Sequence, residues 1–89
     1  VIRHSVKIVN KLGLHARAAA KLVTCANRYA ADIQLEHDGQ RVNGKSIMGV
    51  MMLAAGKGSE LSLSADGEDA ADAVKAIETL ITQRFGEAE

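Results

Sequence analysis

Apolar and polar residues alternate at the start of the chain. Ile2, His4, Val6 and Ile8 fall on one side, Arg3, Ser5 and Lys7 on the other. That period of two predicts a strand from Ile2 to Val9 with one buried face. The period then changes: from Ala16 to Asn27 the set Ala19, Leu22, Val23 and Ala26 recurs at helical spacing. Ile33 and Leu35 restore the alternation over Asp32 to His37. Asp38-Gly39 is a two-residue hairpin signal leading into a short return strand, Gln40 to Asn43. Ser46 suits the N-cap of a short helix from Ile47 to about Leu53, with Val50 and Leu53 turned inward.

Ala55-Gly56-Lys57-Gly58 ends that helix, and no phosphate-loop pattern surrounds its glycines. Leu61, Leu63 and Ala65 alternate with Glu60, Ser62 and Ser64 in a last strand. Asp69 is then expected to cap a final helix whose apolar stripe is Ala70, Ala73, Val74, Ile77, Leu80 and Ile81. Glu68, Asp69 and Asp72 at its start, and Arg84 near its end, match the helix dipole. Gly86 to Glu89 reads as a frayed tail. The order βαββαβα predicts an α+β open-faced sandwich, a four-stranded antiparallel sheet covered on one face by three helices. A chain of 89 residues has room for one modest core, so residues 1–89 are expected to form a single domain.

Composition removes several functions. The 11 basic and 11 acidic residues cancel, so no broad positive field draws nucleic acid. Tyr29 and Phe85 are the only aromatic residues, too few for a base-stacking platform. Neither a signal-peptide pattern nor an apolar run of membrane-spanning length is present. The lone Cys25 has no internal disulfide partner, in keeping with a reducing compartment, and its helical position predicts a buried small hydrophobe. A soluble, cytoplasmic monomer is therefore expected. His4 is expected to be partly buried and satisfied on its strand, and His37 to decorate the surface beside a turn. No grouping of side chains suggests a metal or another cofactor.

The chemistry concentrates at the junction Lys11-Leu12-Gly13-Leu14-His15-Ala16-Arg17-Ala18-Ala19-Ala20. Gly13 supplies a turn, and a helix starting at about Ala16 places the His15 ring at its N-terminus. There the first amides lack partners and the dipole favours an anion. His15 is a candidate phosphate acceptor, and Arg17 could clamp the phosphoryl oxygens. The plainer reading is a turn histidine followed by a solvated arginine. Yet Ser, Thr, Asp or Asn would be the ordinary caps, and acids the ordinary first-turn residues. Two residues that each work slightly against the helix favour the functional reading.

Gly13-Leu14-His15-Ala16-Arg17-Ala18-Ala19 resembles the active-site signature of the HPr phosphocarriers of the phosphoenolpyruvate-dependent phosphotransferase system. Gly39-Gln40 and Lys45-Ser46-Ile47-Met48-Gly49-Val50-Met51-Met52-Leu53-Ala54 resemble the family's serine region at the expected separation. The resemblance runs from about Ile2 to Phe85. Ala18 stands where most members carry proline, and Leu12 where sugar-system members have Asn or Ser. Asn10-Lys11-Leu12-Gly13 is more similar to the nitrogen-related branch.

The resemblance implies a phosphohistidine at His15, formed on Nδ1, with Arg17 as a catalytic partner and Ser46 as a target of a serine kinase/phosphorylase. It further implies enzyme I as donor and an enzyme IIA-type domain as acceptor. Ala16, Lys45, Ile47, Met48 and Met51 would be the docking surface, methionines adapting to differently shaped partners. Two other classes compete. A nucleic-acid or small-ligand module would need the missing aromatic or basic platform. A purely regulatory relative binding a transcription factor through the Ser46 surface would be expected to lack His15.

Overall fold

The computed structural model describes all 89 residues. In chain order they form β1 (Ile2–Lys7), α1 (Ala16–Ala26), β2 (Asp32–His37), β3 (Gln40–Asn43), α2 (Ile47–Met52), β4 (Glu60–Asp66) and α3 (Ala70–Thr82), then a 3₁₀ turn at Arg84–Gly86. The strands make one antiparallel sheet in the order β1-β4-β2-β3. This is the expected open-faced sandwich.

Register explains which face is covered. Val6 lies opposite Leu61, Leu63 opposite Leu35, and Ala65 opposite both Ile2 and Ile33, so the apolar rows of three strands coincide. The buried faces of α1 and α3 complete the core with Ala18, Ala19, Leu22, Val23, Ala26, Ala73, Val74, Ile77 and Ile81. The other face carries Arg3, Ser5, Lys7, Ser62, Gln34 and Glu36, none of them buried. Asp38 and Gly39 take φ of 50° and 80°, the two positive values of a tight hairpin turn between β2 and β3.

Element ends differ slightly from the sequence pattern. β1 closes at Lys7, because the Ile8 amide donates to Ser59 O (2.9 Å) and its carbonyl accepts from the Gly58 amide (2.8 Å), both in the loop before β4. Asn27 and Leu53 are the C-caps of α1 and α2.

Four residues depart from their expected roles. His4 is exposed, its Nδ1 lying 3.3 Å from Glu78 of α3, because β1 is an edge strand and its outer end is only thinly covered. His37 is more than surface decoration: its ring lies against the Glu60 carbonyl (3.2 Å) and its side chain is only 17% exposed. Cys25 is half-buried at the margin of the core, where burial pushes its thiol up despite the opposing Arg28 charge. Asp69 holds the N-cap position of α3 but makes no side-chain cap. Its carboxylate instead accepts the amides of Ala30 (2.8 Å) and Ala31 (2.9 Å), pinning the α1–β2 connection. Those two donors, Ala30 foremost, hold its pKa below the usual carboxylate range.

The largest departure is the segment expected to fray. Phe85 is buried with φ of 55°, so the chain reverses after α3 and doubles back over the β1–α1 loop. Lys21 Nζ donates to Phe85 O (2.7 Å), and the Lys11 amide donates to Glu89 O (2.9 Å). A single large aromatic residue in the core anchors the whole return.

Candidate functional site

The loop after β1 is built around Gly13. Its φ of +68° is open to glycine, and a Cβ there would lie 2.5 Å from Ala55 O and 2.7 Å from Gly56 Cα. That close approach lets the Leu14 amide donate to Ala55 O (2.9 Å), tying the loop to the chain beyond α2. Leu14 is buried, so the backbone cannot swing away. Asn10, fully buried, braces the loop from inside by donating through Nδ2 to Gly13 O at 2.9 Å.

His15 is the N-cap of α1, with φ −74° and ψ 176°, and its side chain makes no capping bond. Its carbonyl accepts the Ala19 amide (2.8 Å) and so starts the helix. The amides of Ala16, Arg17 and Ala18 face the open end without backbone partners. Arg17 is exposed and its side chain makes no hydrogen bond within the fold, although its charge acts on the nearby Glu87 carboxylate. His15 and Arg17 share a hollow of about 420 Å³ with Lys11, Leu12, Glu87, Ala88 and Glu89.

Glu87 is the site residue that sequence reasoning missed. Its Oε2 lies 2.5 Å from His15 Nε2, and its Oε1 accepts Asn10 Nδ2 at 3.0 Å. The Asn10 bond first, then the His15 bond, hold the Glu87 carboxyl below its usual range. No local pattern points to this residue. Its partner Asn10 is buried only in the folded chain, so the pairing is set by the tertiary structure.

The remaining candidates separate along the molecule. Ser46 caps α2 as expected, its Oγ accepting the Gly49 amide at 3.1 Å. Lys45 is half-buried, and its ammonium donates to Tyr29 O (2.7 Å), just beyond the far end of α1 from His15. Arg17 and Lys45 are thus separated by roughly the length of that 11-residue helix, about 16 Å, and do not form one positive patch. Ala16, Ile47, Met48 and Met51 are exposed. The apolar rim is wider than the sequence suggested, because Met52 (62%) and Leu12 (67%) are exposed as well. A larger groove of about 700 Å³ between α1 and α3, lined by Lys21, Cys25, Arg28 and Lys75, lies away from His15. Its Cys25 thiol is pushed up by burial, which disfavours the reactive thiolate.

Comparison with known proteins decides what this arrangement belongs to. A family model described as the phosphotransferase-system HPr component phosphorylation site matches residues 2–83. The chain belongs to the HPr family. It is 48% identical to the phosphocarrier protein HPr of Cupriavidus necator over 89 residues, covering all of both chains. An HPr from Thermoanaerobacter tengcongensis has the same fold, with a TM-score of 0.96 and 43% identity over the full length of both chains. An HPr dimer from that organism matches with a TM-score of 0.79 and 46% identity, over 92% of this chain and 94% of the other. HPr relatives are therefore found as dimers as well. The coarse function follows from this family: the chain is a phosphocarrier of the phosphotransferase system. No helix in it is long and apolar enough to cross a membrane.

Proposed function

We propose that the chain accepts a phosphoryl group from phospho-enzyme I on His15 and passes it to an enzyme IIA-type domain. The observation that carries this reading is an uncapped helix N-terminus that has a histidine as its N-cap and an exposed arginine beside it. The incoming group bears negative charge, and three unpaired amides together with Arg17 offset it. In the transfer, the His15 Nδ1 lone pair forms a new P–N bond as the P–N bond to the donor histidine breaks. The bonding electrons return to the donor ring. The reverse exchange with the acceptor histidine restores the free imidazole. Nothing in the site performs the chemistry alone, so partner proteins complete it.

Docking uses the exposed apolar face of α2, Ile47, Met48, Met51 and Met52, together with Leu12 on the His15 loop. An apolar patch beside a reactive group is suited to transient partners, and methionine side chains reshape to fit more than one. Ser46 is a regulatory site on the same face, phosphorylated by a serine kinase, and its hydroxyl already sits where helix amides favour an anion.

The test is incubation with phosphoenolpyruvate and enzyme I, followed by detection of an acid-labile phosphate. His15→Ala is expected to fold and take none. Labelling of His4 or His37 at the level of His15 would overturn the assignment.

A further inference from the structure

The contact between the closing segment and the reactive histidine carries a second conclusion. Glu87 is held by both oxygens: Oε1 by Asn10 Nδ2 at 3.0 Å, and Oε2 against His15 Nε2. Asn10 is fully buried and its amide is fixed in turn on Gly13 O, so the carboxylate has little freedom to turn. Its side chain is only 14% exposed. An ionised carboxylate accepts hydrogen bonds and donates none. The ring nitrogen facing it must therefore carry the proton. A neutral imidazole has one N–H, so the other nitrogen, Nδ1, keeps its lone pair.

We propose that Glu87 is a positioning residue that fixes the orientation and tautomer of His15, presenting Nδ1 as the nucleophile. The proposal rests on the reading of His15 as the phosphate acceptor. The logic is that of a carboxylate behind a ligating or catalytic histidine, where the outer partner sets which nitrogen reacts. Leu12, on the same rim, offers no hydrogen-bonding group, so no other side chain bonds the ring. The chain Gly13–Asn10–Glu87–His15 links the β1–α1 loop to a segment 72 residues away, and Phe85 in the core holds that segment in place.

The two amide variants of this carboxylate separate positioning from mere packing. In Glu87→Gln, Asn10 retains the side-chain oxygen as its acceptor, so the new NH₂ turns toward His15. That amide donates to Nε2 and moves the ring proton to Nδ1. Glu87→Ala removes the partner without imposing the wrong tautomer. Phosphorylation by phosphoenolpyruvate and enzyme I is expected to slow about tenfold in Glu87→Ala and about a hundredfold in Glu87→Gln, the range for loss of such an outer partner. Nitrogen-15 NMR of the ring supplies a readout independent of transfer. The wild type is expected to show a downfield, protected Nε2 proton, Glu87→Ala to lose it, and Glu87→Gln to show an Nδ1 proton instead. A Glu87→Gln protein with the Nε2 proton and the wild-type transfer rate would overturn the proposal. So would slowed transfer in both variants with an unaltered ring signal, which would reduce Glu87 to an anchor. Failure of the wild type to take phosphate counts against the carrier reading alone, because the ring signal decides the tautomer regardless.

Discussion

At the scale of single residues, the site is a balance between groups committed to the fold and groups left uncommitted. Asn10, Gly13 and Leu14 are consumed by packing and by hydrogen bonds to the backbone, which is what makes the loop rigid. Arg17 is engaged only through its charge, which helps to keep Glu87 ionised. It is exposed and its side chain makes no hydrogen bond, so its removal costs the fold little. Arg17→Ala is expected to alter stability by no more than about 0.5 kcal/mol. Phosphotransfer should nevertheless fall about a hundredfold, the scale seen when one preorganised donor to a transferring group is lost. Denaturation midpoints and single-turnover transfer rates, measured together, check both halves. An unchanged rate would remove Arg17 from the site.

Elements position these residues through their ends more than through their middles. α1 presents its open N-terminus to the site, while its far end is closed by Asn27 and by the Lys45 bond to Tyr29. α2 is only six residues long and depends on its Ser46 cap. Ser46→Ala should cost about 1 kcal/mol. Ser46→Asp retains a capping oxygen and should stay folded, yet place a charge at the edge of the docking face. Because Ser46 caps the opposite end of α2 from the Ala55 carbonyl that meets the His15 loop, the effect belongs to docking and not to chemistry. The KM for enzyme I should rise with kcat nearly unchanged, and less so at high salt. Equal kinetics for Ser46→Asp, Ser46→Ala and wild type at low salt would leave Ser46 a cap alone. The segment after α3 hangs on one side chain. Phe85→Ala should cost about 3–5 kcal/mol, the range for emptying a buried aromatic site. Hydrogen exchange should then show the Lys11 amide, now bonded to Glu89 O, among the first to lose protection.

Over the whole molecule, two carboxylates stitch distant parts of the chain together, and both titrate below their usual values. Asp69 joins the start of α3 to the α1–β2 connection, and Glu87 joins the closing segment to the His15 loop. A carboxyl whose folded pKa is depressed binds protons more readily in the unfolded chain, so it favours folding as the pH rises. That contribution is whole above the ordinary values of 3.8 and 4.5, and it is lost as the pH falls through the lower folded ones. Urea midpoints are therefore expected to hold steady from neutral pH to about 5 and then to fall. Glu87→Gln should flatten part of that fall, because its amide does not titrate. An acid limb identical to the wild type would show that Glu87 contributes none of it.

The alternation of Val6 and Ile8, of Ile33 and Leu35, and of Leu61, Leu63 and Ala65 determined the strands and the face they bury. The helical spacing of α1 and α3 determined what covers them. The glycine turn ahead of His15, with Arg17 following, located the candidate site, because a helix start is a local event written in a few consecutive residues. What the chain pattern could not decide were the long-range hydrogen bonds. Asp69 reaches an amide 38 residues back, His4 meets Glu78 across 74, and Asn10 meets Glu87 across 77. Lys45 likewise belongs to the foot of α1 and not to Arg17. Hydrophobic periodicity records which face turns inward, since burial depends on position along a repeating geometry. A polar partner across the fold depends on where two distant backbones happen to meet, and only the packed structure sets that.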